Sequence, residues 1–142
     1  TLNSHLFATS SHKLQQNITI VEQIGEGLVE LIENGKLHSL EMTELLQKHL
    51  HPFIKNNIDC LVLGCTHYPY LIPQIQKIIG KAITIIDSGE AVAKQTKNIL
   101  ENNSLLNYEH MNLNHIAITN KNKEVLASFI KNKKTKLFFQ DF

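Results

Sequence analysis

The chain has 142 residues, of which 42% are hydrophobic and 19% charged, and a formal net charge of +1. That suffices for an ordinary domain with a core, and it is neither a disordered nor a membrane composition. Apolar runs are too short to cross a bilayer and the charge offers no footprint for nucleic acid, so neither partner is expected.

Thr1 to about Gln16 is polar, with Leu2, Leu6, Phe7 and Leu14 as its large apolar residues, and predicts a short helix. Ile18-Thr19-Ile20-Val21 is β-branched and predicts a short strand. From Gly25 the period changes. Leu28, Leu31 and Ile32 fall on one helical face that ends at the capping pair Asn34-Gly35. A second helix is expected from Ser39 to His51, capped by Ser39 and lined by Met42, Leu45, Leu46 and Leu50, with Pro52 interrupting it.

Cys60 to Leu63 is a continuous apolar run, the pattern of a strand covered on both faces. A helix should start at the turn that follows. Pro69 and Pro73 are tolerable only near its beginning, Ile72, Ile75 and Ile79 repeat at helical spacing, and Gly80 stops it. Ala82 to Ile86 predicts another buried strand, and Asp87 or Ser88 can cap a helix over residues 89 to 101. A strand over 115–119, a helix over 122–132 and a strand over 136–139 complete the pattern. Lys131, Lys133, Lys134 and Lys136 read as a solvated helix end. Strands alternating with helices predict an α/β fold with a layered, mostly parallel sheet.

The chemistry concentrates in Gly64-Cys65-Thr66-His67-Tyr68, at the end of the apolar run Leu61-Val62-Leu63. In open α/β sheets, ligands bind beyond the carboxyl ends of strands. A helix start there would stabilise a Cys65 thiolate, Thr66 could cap the helix or hold a carboxylate, and His67 is the acid–base candidate among eight histidines. Each has a plainer role available: a packed cysteine, a simple cap, a surface histidine. Tyr68 and Tyr70 read as wall or packing residues, and His49 and His51 have no supporting cluster.

Cys60, Cys65 and His67 lack the spacing and the fourth ligand of a zinc site, so no metal is expected. Along a strand, Cys60 and Cys65 would be about 16 Å apart at ~3.3 Å per residue, too far to flank one small substrate. Cys60 is therefore assigned to packing. With two cysteines and no signal-peptide pattern, the expected setting is reducing and cytoplasmic.

Leu61 to Leu71 resembles the second cysteine motif of bacterial glutamate racemase, and Ile85 to Ala93 resembles the segment that follows it. Leu31-Ile32-Glu33-Asn34-Gly35 is similar to the family's Pro-Leu-Ile-Glu-Glu-Gly stretch, with Glu30 in the proline's place, and Thr1-Leu2-Asn3-Ser4 to a Thr-x-x-Ser segment near the start of the second lobe. The likeness fades after about Leu100. It implies two α/β lobes enclosing glutamate, no cofactor, and two cysteines that exchange the α-proton on opposite faces of the substrate. It assigns Cys65 one base role, Thr66 and His67 contact or proton-shuttling roles, and Glu33 the support of His67. It also implies a homodimer for the full-length protein.

The family's Gly-rich Asp-Ser turn and its Ala-Cys-Asn-Thr turn are absent. Residues 1–86 are then expected to be the second lobe without its first strand, and residues 87–142 a C-terminal segment that packs on an absent first lobe. A C-terminal portion of this kind is expected to be inactive alone. Three other readings stay open: a non-catalytic carboxylate-binding lobe, an aspartate racemase of the same superfamily, and a cysteine hydrolase. The last needs an oxyanion hole and an orienting Asn or Asp that the sequence does not identify.

Overall fold

The structure, a computed structural model, describes residues 5–14, 18–108, 115–130 and 134–142. The Thr1–Ser4 segment, the end of the first expected helix at residues 15–16, and Lys131 and Lys133 lie outside the described residues. The elements run α1 (His5–Leu14), α2 (Leu28–Glu33), α3 (Leu40–Lys55), β1 (Cys60–Val62), a 3-10 helix (Tyr68–Leu71), α4 (Ile72–Ile79), β2 (Thr84–Ile86), α5 (Gly89–Asn102), β3 (Ile116–Thr119), α6 (Lys123–Phe129) and β4 (Lys136–Phe139). Mixed α/β structure with short parallel strands is what alternating periods demanded. The chain divides into two compact units, residues 1–32 with 36–87, and residues 33–35 with 88–142.

The first unit is built on helices whose ends the sequence encodes. α2 buries Leu28, Leu31 and Ile32. Gly35 takes φ +71°, and the Lys36 amide reaches back to the Leu31 carbonyl at 2.8 Å. That is a Schellman closure, which a residue with a Cβ makes at a cost. Ser39 caps α3 by accepting from the Met42 amide at 3.1 Å. α3 buries Met42, Leu46, His49 and Leu50, while α4 contributes Ile75 to the core. Leu61, Leu63 and Leu71 complete that core.

β1 and β2 pair in parallel, with Leu61 opposite Ile85 and Val62 opposite Ile86. Leu61 is buried, whereas Val62 is 69% and Ile86 48% exposed. The strands are thus covered on one face, not two, and the parallel register puts Val62 and Ile86 together on the exposed one. In the second unit β3 and β4 pair in parallel, with Ile118 opposite Phe138. α6 is capped by Asn122, whose Oδ1 accepts from the Glu124 and Val125 amides. Neither α5 nor α6 buries a described residue.

Several expectations are corrected. Ile18 to Val21 forms no strand, because β-branched residues need a ladder partner and the described β1 pairs with β2. α3 continues through Pro52 to Lys55: proline forfeits one donor, and the Asn56 amide still closes the last turn on the Pro52 carbonyl. β2 begins at Thr84 rather than residue 82. Ser88 occupies the cap of α5 in the helical region without a side-chain capping bond, since a capping hydroxyl must approach from extended backbone. α6 stops at Phe129 because Ile130 is extended. Among the described residues no helix is long and apolar enough to cross a membrane.

Two ties join the segment before α2 to the rest of its unit. His49, 7% exposed, contacts the Glu26 carbonyl through Nε2 at 2.9 Å and the Gln23 amide through Nδ1 at 3.2 Å. The Tyr68 hydroxyl donates to the Gly25 carbonyl at 3.2 Å. Burial, joined by the charges of Cys65 and Glu30, raises the Tyr68 pKa above its ordinary 10.0.

Leu46 is 1% exposed at the centre of this core. Leu46→Ala should lower stability by about 2–5 kcal/mol, seen as a lower urea midpoint at constant slope. For Tyr68, the unfolded chain ionises the phenol near pH 10.0 while the folded chain keeps it protonated. Its contribution is complete below that pH and is lost as pH rises through the higher folded value. Urea titrations above pH 10.0 should show wild-type stability falling with pH more steeply than that of Tyr68→Phe; equal slopes would contradict the assignment.

Candidate active site

The site turn is fixed by the strand that precedes it. The Leu63 amide donates to the Ile86 carbonyl at 2.8 Å, which extends the ladder by one bond, and the Leu63 side chain is buried. Gly64 then stands in open space, with nothing within 4 Å of where a Cβ would be. Cys65 follows, half-buried with a free thiol. Its carbonyl accepts from the Tyr68 amide at 3.2 Å, which turns the chain.

The turn brings Cys65, Thr66 and His67 together. Cys65 Sγ lies 3.9 Å from His67 Nδ1. Thr66 Oγ1 lies 3.5 Å from the same nitrogen. One imidazole nitrogen therefore lies near both a thiol and a hydroxyl. Cys65 is half-buried rather than fully enclosed.

Two details differ from the sequence reading. The helix does not begin at Cys65. A turn comes first, then the 3-10 helix from Tyr68, and only then α4 from Ile72. Pro69 and Pro73 stand at the first positions of these two elements, where a missing donor costs nothing. The thiol thus owes its place to the strand end and the turn rather than to an α-helix terminus. Nor is Thr66 the cap: His67 occupies that position in helical backbone, with no side-chain capping bond.

Glu33 closes α2 and is exposed. Cys60 opens β1 beside Thr84, half-buried. Among the described residues no three His, Cys, Asp or Glu side chains form a metal-holding group. A surface depression of about 430 Å³ lined by His5, Ala8, Thr9 and His12 does not include Cys65.

The sequence reading missed what supports this turn. Tyr68 looked like a wall residue and His49 like an isolated one. In the fold Tyr68 binds Gly25, and His49 holds the two sides of that glycine at Gln23 and Glu26. No local signal reveals these contacts, because the partners are distant in sequence and two of them are backbone carbonyls.

No protein-family model matches the chain. Curated relatives do. The chain is 40% identical over 106 residues to glutamate racemase of Pseudomonas syringae pv. tomato, covering 75% of this chain and 38% of the relative. It is 42% identical over 106 residues to glutamate racemase of Pseudomonas putida strain W619 (75% and 40%), and 46% identical over 94 residues to that of Ralstonia pickettii (66% and 33%). Among solved structures, a glutamate racemase isoform of Bacillus anthracis superposes with a TM-score of 0.80 at 27% identity, over 100% of this chain and 54% of that one. The Francisella tularensis glutamate racemase, solved in complex with D-glutamate, gives 0.78 at 27% identity, over 99% and 54%. The chain spans well under half the length of these curated relatives and about half of the solved chains. Both its curated homologues and its structural neighbours are glutamate racemases, matched over part of their length.

Proposed function

We propose that this chain carries one side of the proton-transfer machinery of a cofactor-independent glutamate racemase, with Cys65 as one of its two bases. The observation that carries this reading is the Cys65 thiol, half-buried beyond the end of β1 and 3.9 Å from His67 Nδ1, within a segment that resembles the second cysteine motif of glutamate racemases. The D-glutamate bound by the Francisella relative supports glutamate as substrate, and homologues named for glutamate favour it over aspartate.

The chemistry fits these residues. The α-proton of an amino acid is weakly acidic, so its base must be close, aligned and shielded from water. The Cys65 thiolate takes that proton and becomes a thiol, leaving the electron pair on the α-carbon, delocalised into the carboxylate. A second thiol on the opposite face then returns a proton and becomes a thiolate. Inversion therefore needs two groups on two sides of one carbon. Cys60 opens the strand that Cys65 follows, so it is not the second group. The partner thiol comes from a first lobe that these 142 residues do not supply.

In this reading Thr66 binds a substrate carboxylate, His67 shuttles a proton beside Cys65, and Glu33 supports His67. Residues 1–86 form most of a second lobe without its first strand, and residues 87–142 return to pack on the first. The full-length enzyme is a cytoplasmic homodimer that furnishes D-glutamate for peptidoglycan.

Two outcomes test it. A purified preparation of residues 1–142, free of host racemase, should leave L-glutamate unchanged by polarimetry; clear turnover would refute the division of labour. In the full-length racemase that carries these residues, Cys65→Ser should cut turnover by about 10²–10⁴-fold without shifting the urea midpoint. Retained turnover would remove Cys65 from the mechanism.

A further inference from the structure

Tyr68 is attached at both ends. Its amide donates to the Cys65 carbonyl at 3.2 Å, and its hydroxyl donates to the Gly25 carbonyl at 3.2 Å. One residue thus connects the thiol-bearing turn to the segment that leads into α2. That segment is itself fastened. A carbonyl only accepts, so His49 Nε2 carries the proton given to Glu26, and Nδ1 accepts from the Gln23 amide. The two contacts bracket Gly25.

Gly25 is needed for the approach, not for its backbone angle, since its φ lies outside the left-handed region. A Cβ there would meet the Tyr68 hydroxyl oxygen at 2.5 Å, Tyr68 Cζ at 3.1 Å and Leu28 Cδ1 at 2.8 Å. Even a methyl group forces the phenol off its seat. On the other side of Cys65, Leu63 is anchored to β2 through its amide, and Gly64 stands in open space.

We propose that Tyr68, seated in the Gly25 socket and locked there by His49, is a strut that sets the direction of the Cys65 thiol, making all three positioning residues. The inference rests on Cys65 being a proton-transfer group, for which a misplacement of about 1 Å can cost ~10²-fold in rate. A phenol that merely filled space would not need its oxygen.

The test reads the thiol directly, in a Cys60→Ala background where Cys65 is the only cysteine. Alkylation by iodoacetamide is followed across the thiol titration range. Tyr68→Phe keeps the ring and removes the oxygen; Gly25→Ala keeps the oxygen and fills the socket. Both should move the rate–pH profile in the same direction, by about threefold or more, a fraction of the cost a 1 Å displacement can impose on turnover. His49→Leu should reproduce that change, and His49→Gln, which retains a donor for Glu26, should reverse most of it. In a Tyr68→Ala background, Gly25→Ala should add nothing further, because the two act through one contact. Circular dichroism confirms that each variant compared is folded. Superimposable profiles for folded Tyr68→Phe and Gly25→Ala would overturn the strut, as would a Gly25→Ala effect of equal size with and without Tyr68. Alkylation does not require racemisation, so this result and the Cys65→Ser turnover fail independently.

Discussion

The site hangs on a thiol held between two fixed points. On one side the Leu63 amide is bound to the Ile86 carbonyl, which ties the chain to the parallel ladder up to the residue before Gly64. On the other side Tyr68 grips the Cys65 carbonyl and the Gly25 carbonyl with its two donors. Everything between is short, polar and open to approach. Proton transfer to or from carbon tolerates little misalignment, so a rigid frame around a small accessible turn is a suitable support for such chemistry. Local geometry gathers Cys65, Thr66 and His67 on one turn.

What was readable in the sequence was local. Leu28, Leu31 and Ile32 announced α2, Gly35 its end, and Ser39 the start of α3, because helix faces and caps depend on residues three or four apart. Cys65 and His67 were legible for the same reason, being two positions apart on one turn. The strand expected at Ile18–Val21 was a local propensity with no ladder to join. The exposure of Val62 and Ile86 was equally hidden, since the composition of a strand does not say what covers its second face. The grip of Tyr68 on Gly25 depends on the absence of a side chain, and that of His49 on Glu26 on a backbone oxygen; neither leaves a trace in residue type.

The corrections near the site also matter for mechanism. With a turn and a 3-10 helix between Cys65 and α4, helix-terminus electrostatics are a weaker argument for the thiolate than the sequence implied. Position and shielding remain. In the proposed reaction a base is made effective by being aimed and partly desolvated, and the neighbouring imidazole would offer a partner for the transferred proton.

The uneven distribution of the core has a calorimetric consequence. The buried apolar residues Ile32, Met42, Leu46, Leu71 and Ile75 all belong to the first unit, whereas Ile116, Ile118, Phe138 and Phe139 of the second are half or more exposed, or nearly so. The heat-capacity increment of melting follows the apolar area newly wetted. Most of that increment therefore originates in residues up to Asp87, and a thermogram of this polypeptide reports mainly on the loss of the scaffold that carries the thiol.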